Sequence, residues 1–299
     1  MTSLAIPTAV HSGAQRDADA FGALTGAPGV KVAADQILTG RATMLGLTPR
    51  GGVSAGAASR LMRSRDGWWV LTLSRRDDVD AISALLEADT VGTDPWPSVR
   101  RWAADRDAAD VTERARLLGL PVAELGETVA APPQRASVAP PRASRNLSDL
   151  LVADLSAMWA GPLCGQLPAR ASACVVKVES RRRPDGTRSG PAPFFDWMNS
   201  GKLSYAADFD EPSGLLSLLS AADVVIESSR PSALARRRLH PADAAPRAGR
   251  VWLRITGHGT EGDRQEWVAF GDDATPAAGL GADNDTVERL VAERLMAPC

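Results

Sequence analysis

The second half of the chain alternates short apolar segments with helical segments, and this alternation limits the fold more than any other feature. The apolar segments that are predicted as strands lie at 150–156, 174–180, 202–209, 223–229 and 251–259. Helical patterns fill the intervals between most of them. Strands that alternate with helices form βαβ units and a largely parallel sheet. We therefore expect a domain whose ligands bind at the carboxyl ends of the strands.

A stretch without periodicity, 131–146, precedes this alternation and is rich in Pro, Ala, Ser and Arg, which is typical of a linker. Before it, residues 59–74 predict a β-hairpin, and most of the remaining segments predict helices. Residues 1–20 are weakly patterned and are expected to be loose. The predicted fold class is α/β, with a smaller α+β domain at 1–130 and a Rossmann-like parallel-sheet domain at 147–299.

Composition excludes several classes of protein. The formal net charge of -2 argues against nucleic acid as a partner, because nucleic-acid binders carry a basic footprint. The chain has 3 cysteines, none at metal-ligand spacing, which predicts no metal site and fits a reducing cytoplasm. No apolar run approaches the roughly 20 residues that span a bilayer, and the N-terminus does not resemble a signal peptide. We expect a cytoplasmic protein without a membrane partner.

The turn after the first predicted strand does not suit a dinucleotide. Glu179 ends the second strand about 20 residues after that turn, where a dinucleotide fold places its ribose-binding acid. However, the turn reads SAMWAGPLCG rather than G-x-G-x-x-G. The bulky Met158 and Trp159 stand where a pyrophosphate needs bare backbone, so the sequence argues against NAD.

A second short motif, GVSAG at 52–56, matches the G-x-S-x-G pattern of serine hydrolases. A nucleophile elbow must follow a strand and open a helix, whereas this motif lies in a predicted loop. The sequence therefore argues against a serine hydrolase.

Six segments of the second half resemble, in order, the family III CoA-transferases, which are also called CaiB/BaiF-like proteins. The family patterns are DLS-x-x-x-AGP, V-I-K-V-E, N-x-x-K-R-S, D-V-x-x-E-x-x-R-P-G, I-S-G-x-G and an element ending in SGL. The matching segments are VADLSAMWAGPLCGQL, CVVKVES, FFDWMNSGKLSYAADF, DVVIESSRPSAL, VWLRITGHG and AFGDDATPAAGL. The first half resembles segments that follow the Rossmann-like part in other members, as in a rearranged actinobacterial layout.

The resemblance implies a chemistry and a set of site residues. Family members move coenzyme A between carboxylic acids; an aspartate attacks the acyl-CoA thioester and forms a mixed anhydride. The implied substrates are an acyl-CoA and a small carboxylic acid, with no covalently bound cofactor, and the implied assembly is a homodimer or a complex with a partner chain. By motif, Met158 and Trp159 would line the thiol end of the CoA site, and Glu179, Ser180 and Arg181 would border the adenosine. Lys202 and Arg236 would contact the CoA phosphates, for which Lys and Arg are suitable donors.

The sequence departs from the family pattern in several places. Pro168 falls within the predicted first helix of the second half and is expected to end or kink it. Residues 281–299 do not match the family segment that holds the nucleophilic aspartate, so the chain is expected to be short at its C-terminus and the catalytic residue is unknown. Asp272 aligns with an aspartate upstream of that nucleophile, and Asp273 is its neighbour.

Two alternatives to CoA transfer stay open at this point. One is a catalytically degenerate CoA-binding subunit, a pseudoenzyme, which the unmatched C-terminal segment favours. The other is a racemase-type isomerase acting on a 2-methylacyl-CoA, in which a histidine moves the α-proton. Gly271 stands where such enzymes have that histidine, which makes the racemase the less favoured of the two activities.

Overall fold

A computed structural model describes residues 6, 8–25, 30–48, 50–129, 133–137, 139–143 and 145–279 of the chain. Their helices are α1 (Thr8–Thr25), α2 (Ala34–Leu45), α3 (Arg76–Asp80), α4 (Ile82–Leu86), α5 (Trp96–Ala104), α6 (Ala108–Leu117), α7 (Ala160–Arg170), α8 (Ala192–Asn199), α9 (Ser213–Ala221), α10 (Pro231–Ala235) and α11 (Gly271–Ala277). Their strands are β1 (Ser59–Arg63), β2 (Trp68–Thr72), β3 (Val122–Glu124), β4 (Leu151–Leu155), β5 (Cys174–Ser180), β6 (Leu203–Ala207), β7 (Val224–Glu227) and β8 (Val251–Arg254).

The chain divides into two compact units that do not follow the predicted boundaries. The hairpin unit holds Leu47–Pro133 and the described part of Gly257–Cys299, and the parallel-sheet unit holds Ile6–Gly46 and Gln134–Thr256. Thus α1 and α2 belong with the parallel sheet, and α11 belongs with the hairpin. The predicted division at 1–130, 131–146 and 147–299 differs from this because it followed chain order.

The parallel-sheet unit has five strands in the order β6-β5-β4-β7-β8, and every neighbouring pair is parallel. If the five strands of this sheet are numbered 1 to 5 by their order in the sequence, with β4 as 1, their spatial order is 3-2-1-4-5. This is the order of a doubly wound Rossmann-like sheet. The predicted α/β fold class is confirmed. The strand order reverses between β4 and β7, and such a switch point opens a crevice at the carboxyl ends of the two strands.

Both faces of this sheet are covered because its strands are apolar on both sides. On one face, Ala153, Val178 and Val225 pack with Leu215 and Leu219 of α9. On the other face, a second set of strand residues packs with side chains of α7: Val152, Val175 and Ile226 with Cys164 and Ala169. The sheet thereby fixes α7 directly behind the β4–α7 turn.

The segment that was expected to be loose contains α1, which begins at Thr8. Ala18 packs with Val30, Val32 and Leu167, and the side chain of Gln15 accepts a hydrogen bond from the backbone N–H of Ala34 at 2.9 Å. The buried face of α1 is small, which explains why its periodicity in the sequence is weak.

Pro168 does not end α7 where the sequence predicts, because the helix continues to Arg170. The proline lies in the last turn, so its ring removes a single intrahelical N–H close to the helix end. Its carbonyl accepts hydrogen bonds from the backbone N–H groups of Ala171 and Ala173 at 3.0 and 2.9 Å, which close the C-terminus.

The hairpin unit is built on an antiparallel sheet in the order β1-β2-β3. The register pairs Ser59 with Thr72 and Arg63 with Trp68, which confirms the predicted hairpin. Ala277 of α11 joins Leu61 and Val70 in one buried cluster. This contact explains why residues after Gly257 belong to this unit.

Candidate functional site

The β4–α7 turn lies at the switch point of the parallel sheet. The backbone N–H of Ala157 donates a hydrogen bond to Oγ of Ser228, at 3.0 Å, and so joins the segments that follow β4 and β7. The predicted site residues Met158 and Trp159 come directly after it. A ligand in the crevice would therefore meet these two residues first.

Met158 has a left-handed backbone conformation, with φ 73°, which is unusual for a residue other than glycine. Such a conformation costs on the order of 1–3 kcal/mol and persists where its surroundings fix it. Here the backbone N–H of Met158 points at the carboxylate of Asp185, 3.3 Å from each oxygen. The side chain of Met158 is 41% exposed, so the turn presents it to solvent.

Asp185 owes its position to a buried ion pair. Nζ of Lys177 lies 2.8 Å from Oδ2 of Asp185, and both side chains are almost fully buried. Lys177 also donates to the carbonyl of Ser156, and Asp185 accepts from the backbone N–H and the hydroxyl of Thr187 at 3.0 and 2.7 Å. Burial alone would raise the pKa of Asp185, but the charge of Lys177 and these hydrogen bonds hold it below its usual value.

A second buried ion pair supports the same turn from behind. Nζ of Lys202 lies 2.8 Å from Oδ2 of Asp154 and donates to the carbonyl of Pro162 and to Oδ1 of Asn199, at 2.8 and 3.1 Å. Oδ1 of Asp154 accepts hydrogen bonds from the backbone N–H, at 3.1 Å, and the hydroxyl of Ser156. Burial lowers the pKa of Lys202, and the charge of Asp154 offsets part of that effect.

This geometry bears on the predicted role of Lys202 as a partner of CoA phosphates. Its side chain is fully buried, and its three N–H donors match the three acceptors just described. In this arrangement the ammonium group has no exposed face for a phosphate. Lys202 instead holds α7 and the turn against β4.

Two glycines of α7 make that close packing feasible. A Cβ atom on Gly165 would lie 2.7 Å from Oδ2 of Asp154 and 3.2 Å from Nζ of Lys202. A Cβ atom on Gly161 would lie 2.2 Å from the side chain of Ser156. The AGPLCG segment therefore needs glycine for the approach of the helix to a buried carboxylate and a hydroxyl.

Glu179 lies at the end of β5, where the sequence predicts it, and its carboxylate is already bound. It accepts hydrogen bonds from Nε and Nη2 of Arg188, the shortest at 2.6 Å, and from the backbone N–H of Asp185 at 2.9 Å. The hydrogen bonds of Arg188 are the main reason that the pKa of Glu179 is lowered. The carboxylate is one-tenth exposed, so it orders the loop after β5.

The basic segments after β5 and α10 come together on one aspartate. Asp210 accepts a hydrogen bond from Nη1 of Arg182 and another from Nε of Arg237, each at 3.1 Å. We call the two segments, Arg181–Arg183 and Arg236–Arg238, the arginine cluster. Because one carboxylate is shared by two guanidinium groups at its centre, the cluster keeps a net positive charge.

Three of the predicted site residues belong to this region. Arg181 is exposed and its Nε donates to the carbonyl of Ala206 at 3.2 Å. The hydroxyl of Ser180 accepts the backbone N–H of Arg182 at 3.3 Å. Arg236 is exposed at the C-terminal cap of α10.

Trp159 occupies the N-terminal cap of α7 and is half-buried. Its Nε1 is buried and has no hydrogen-bond partner among the residues that the structure describes. A buried indole N–H normally finds an acceptor. Trp159 thus offers a donor next to the exposed Met158.

Asp272 and Asp273 lie in the hairpin unit, at the start of α11. Asp273 is 1% exposed and accepts the backbone N–H of Phe270 at 2.8 Å, and Asp272 accepts the hydroxyl of Ser59 at 2.8 Å. Burial raises the pKa of Asp273 to about 7, and the neighbouring charge of Asp272 acts in the same direction. Asp272 thus attaches the start of α11 to β1, and Asp273 accepts the hydroxyl of Thr72 on β2 at 3.4 Å.

Sequence reasoning missed three residues that hold the turn, Asp154, Lys177 and Asp185, and it missed Asp210, which joins the arginine cluster. One of them carried a signal. Lys177 stands within the apolar run CVVKVES, and a lysine inside a buried strand needs a partner. The partner itself, Asp185, lies in a loop with no such mark.

Among the described residues, no helix has the length and apolar character needed to cross a membrane.

Residues 147–286 match the family model described as CoA-transferase family III. A succinyl-CoA--D-citramalate CoA-transferase of Chloroflexus aurantiacus is 30% identical over 156 residues, 47% of this chain and 38% of the relative. A succinate--glutarate CoA-transferase of Agrobacterium fabrum is 30% identical over 141 residues, 42% of this chain and 35% of the relative.

Solved structures include similar chains. A CaiB/BaiF family protein from Brucella suis is 31% identical, with a TM-score of 0.39, over 43% of this chain and 38% of that one. The chain thus spans less than two-fifths of the length of the two relatives above.

The strand order and the crevice between β4 and β7 define a Rossmann-like α/β protein with a ligand-binding edge. The match over residues 147–286 then indicates the family. This segment is similar to CoA-transferase family III, the family whose six ordered motifs the sequence resembles.

Proposed function

We propose that the protein binds a CoA thioester at the carboxyl ends of β4, β5 and β7 and takes part in moving CoA between an acyl-CoA and a small carboxylic acid. The observation that carries the proposal is the family match over residues 147–286, which contains the whole parallel sheet. The named activities of the two relatives, each a CoA-transferase, support it.

The arginine cluster is the proposed contact for the CoA phosphates. Phosphates bind best to guanidinium groups that can donate paired, charge-assisted hydrogen bonds. Arg182 and Arg237 approach each other through Asp210, and Arg181 and Arg236 flank them on the exposed surface. In this proposal the cluster replaces Lys202, whose ammonium is buried.

The turn at Met158 and Trp159 is the proposed boundary of the thiol end. Its exposed thioether and half-buried indole give an apolar wall for pantetheine. The left-handed backbone at Met158, fixed by Asp185, presents this wall before any ligand arrives. A preformed site costs less ordering entropy when it binds.

The acyl transfer itself needs a carboxylate nucleophile, as the resemblance implies. None of the described residues matches that aspartate by motif, and Asp272 and Asp273 align upstream of it. We therefore propose CoA binding for the residues named above and leave the nucleophile unassigned.

The proposed compartment is the cytoplasm, in keeping with the free thiols of Cys164 and Cys174. The proposed assembly is a homodimer or a complex with a partner chain, and light scattering tests the homodimer by measuring the molar mass in solution.

Two assays on the full chain test the proposal. Isothermal titration calorimetry with CoA measures binding, and incubation of succinyl-CoA with glutarate measures exchange through the appearance of glutaryl-CoA. We expect saturable CoA binding that weakens about tenfold or more in the double variant Arg182→Ala, Arg237→Ala, because charge-assisted hydrogen bonds are lost. The matched control Arg76→Ala removes an arginine that is 93% exposed in the hairpin unit, and it should bind CoA as the parent does.

The outcomes separate the alternatives. Binding with exchange supports a transferase, and binding without exchange for any acyl donor and acid tried supports a CoA-binding subunit. Loss of α-deuterium from a 2-methylacyl-CoA would indicate the racemase-type activity. Absence of CoA binding, or equal binding by the double variant and the parent, contradicts the proposal.

A further inference from the structure

A cavity of about 220 Å³ lies between three helices of the parallel-sheet unit. One face of α7 supplies residues at positions i, i+3, i+4 and i+7: Leu163, Gln166, Leu167 and Arg170. Helix α2 supplies Ile37, and α8 supplies Trp197. The lining combines apolar side chains with the polar side chains of Gln36, Gln166, Arg170 and Ser200.

Gln166 gives the cavity an unsatisfied polar group. The residue is 9% exposed, and its Oε1 is buried without a hydrogen-bond partner among the described residues. A buried acceptor without a partner costs about as much as a lost hydrogen bond, so each such group requires an explanation. A ligand hydroxyl can satisfy it in either orientation of the amide, because a hydroxyl both donates and accepts.

Arg170 gives the same cavity a positive charge. Its Nη2 donates to the carbonyl of Lys31 at 3.0 Å, which holds the guanidinium beside the segment that leads into α2. A guanidinium has five N–H donors, so it can bind a carboxylate as well as this carbonyl. Arg170 is exposed, so its guanidinium lies at the rim of the cavity, and none of the described lining residues is acidic.

The opposite wall contains a close contact between α2 and Trp197. A Cβ atom on Gly40 would lie 2.8 Å from the Trp197 ring, so the glycine allows α2 to approach this indole closely. The ring consequently forms a flat apolar surface in the wall of the cavity, where another ring or a branched alkyl group can pack.

We propose that this cavity binds a small hydroxy-carboxylic acid with an apolar body. Its hydroxyl pairs with the side-chain amide of Gln166, its carboxylate with Arg170, and its apolar part contacts Leu163, Leu167 and Trp197. The site lies toward the C-terminal end of α7, whereas the Met158–Trp159 turn lies at the N-terminal end of that helix. Along the helix, Gln166 and Arg170 lie about 10 and about 16 Å from Trp159.

Mandelate is the probe, because it combines a phenyl ring, one hydroxyl and one carboxylate in a volume that the cavity can hold. Binding to the full chain is measured by calorimetry, and the position by a crystal soak. We expect saturable binding at millimolar concentration or tighter, with phenylacetate, which lacks the hydroxyl, binding about 3- to 10-fold more weakly. The difference reflects one hydrogen bond to a group that is otherwise unpaired.

Variants assign the effect to the cavity. Gln166→Leu should abolish the preference for mandelate over phenylacetate, and Gln134→Leu, which changes an exposed glutamine of the linker, should retain it. Ser200→Trp fills the cavity from its exposed rim and should abolish binding of both acids even if Gln166→Leu fails to fold. No saturable binding by the parent, or an unchanged preference in Gln166→Leu together with binding retained in Ser200→Trp, overturns the proposal.

Discussion

At the scale of single residues, the candidate site depends on a glycine in α7 whose lack of a side chain allows close packing. Gly165 has no Cβ, and this lets α7 lie against Asp154 and Lys202. The buried pair would otherwise be forced apart, and a buried charge without its partner is costly. The glycine is therefore part of the architecture of the turn.

The variant Gly165→Ala should lower the free energy of unfolding by about 1–3 kcal/mol, because the added methyl group overpacks a buried ion pair. Urea unfolding followed by circular dichroism measures the change. Gly56→Ala serves as control, since a Cβ there meets no atom within 4 Å, and it should change stability by less than about 1 kcal/mol. Equal free energies of unfolding for Gly165→Ala and the parent would contradict this account, because they would show that α7 can shift away from the added methyl group without loss of stability.

Asp273 predicts a dependence of stability on pH. Its pKa rises from 3.8 in the unfolded chain to about 7 in the folded protein, so the folded state binds the proton more tightly between these values. The free energy of unfolding should therefore fall as pH rises from about 4 to about 7, by at most about 4 kcal/mol from this group. Above about pH 7 the contribution is constant.

Asp273→Asn should remove that part of the slope, because an amide does not titrate but still accepts the hydrogen bond from Phe270. The measurement is urea unfolding of parent and variant at pH 5 and pH 8. The variant should gain stability relative to the parent mainly at pH 8. Asp89→Asn, at an exposed aspartate, should leave the parent's slope unchanged, and an identical slope in Asp273→Asn would contradict this account.

At the scale of elements, β5 and the loop after it act together to shape the β4–α7 turn. Lys177 on β5 holds Asp185 in the loop, and Asp185 holds the backbone of Met158. The three residues come from separate segments, and each polar group is paired. A buried network of this kind is stable only when it is complete.

Lys177→Met should destabilise the protein by about 3–5 kcal/mol, because it leaves Asp185 buried without its cation. The double variant Lys177→Met, Asp185→Asn removes the charge as well and should recover part of that loss, as measured by urea unfolding. The single variant Asp185→Asn completes the cycle. If the loss of stability in the double variant equals the sum of the losses in the two single variants, the two side chains do not interact.

The sequence predicted the strands of the parallel sheet because each one is an apolar run between turn signals. It also placed Met158 and Trp159 in the turn after the first strand of the sheet and Glu179 at the end of the second, where the structure has them. It did not reveal that the side chain of Lys202 is buried, because its partner Asp154 is 48 residues away. Local patterns carry no information about such pairings, and the same holds for Arg182 and Arg237 on Asp210.

At the scale of the whole molecule, the division into units does not follow chain order. The N-terminal helices α1 and α2 belong to the parallel-sheet unit, although the hairpin unit lies between them and the sheet in the sequence. The segment that begins at Gly257 belongs to the hairpin unit, although it follows the sheet in the sequence. Hydrophobic contacts decide this, since small clusters such as Ala18, Val30 and Val32 with Leu167 bind remote segments. The linker composition at 131–146 marked a change of unit but not the membership of the termini.

Amide hydrogen–deuterium exchange of the full chain, with and without saturating CoA, tests the central claim most directly. If CoA binds at the switch point, exchange should slow in peptides covering 156–163 and 228–238, where the turn and part of the arginine cluster lie. Exchange in peptides covering α2 and the hairpin β1–β2 should be the same with and without CoA, because these segments form no part of the proposed site. Protection confined to other segments, or no protection at a CoA concentration that saturates calorimetric binding, would contradict the account.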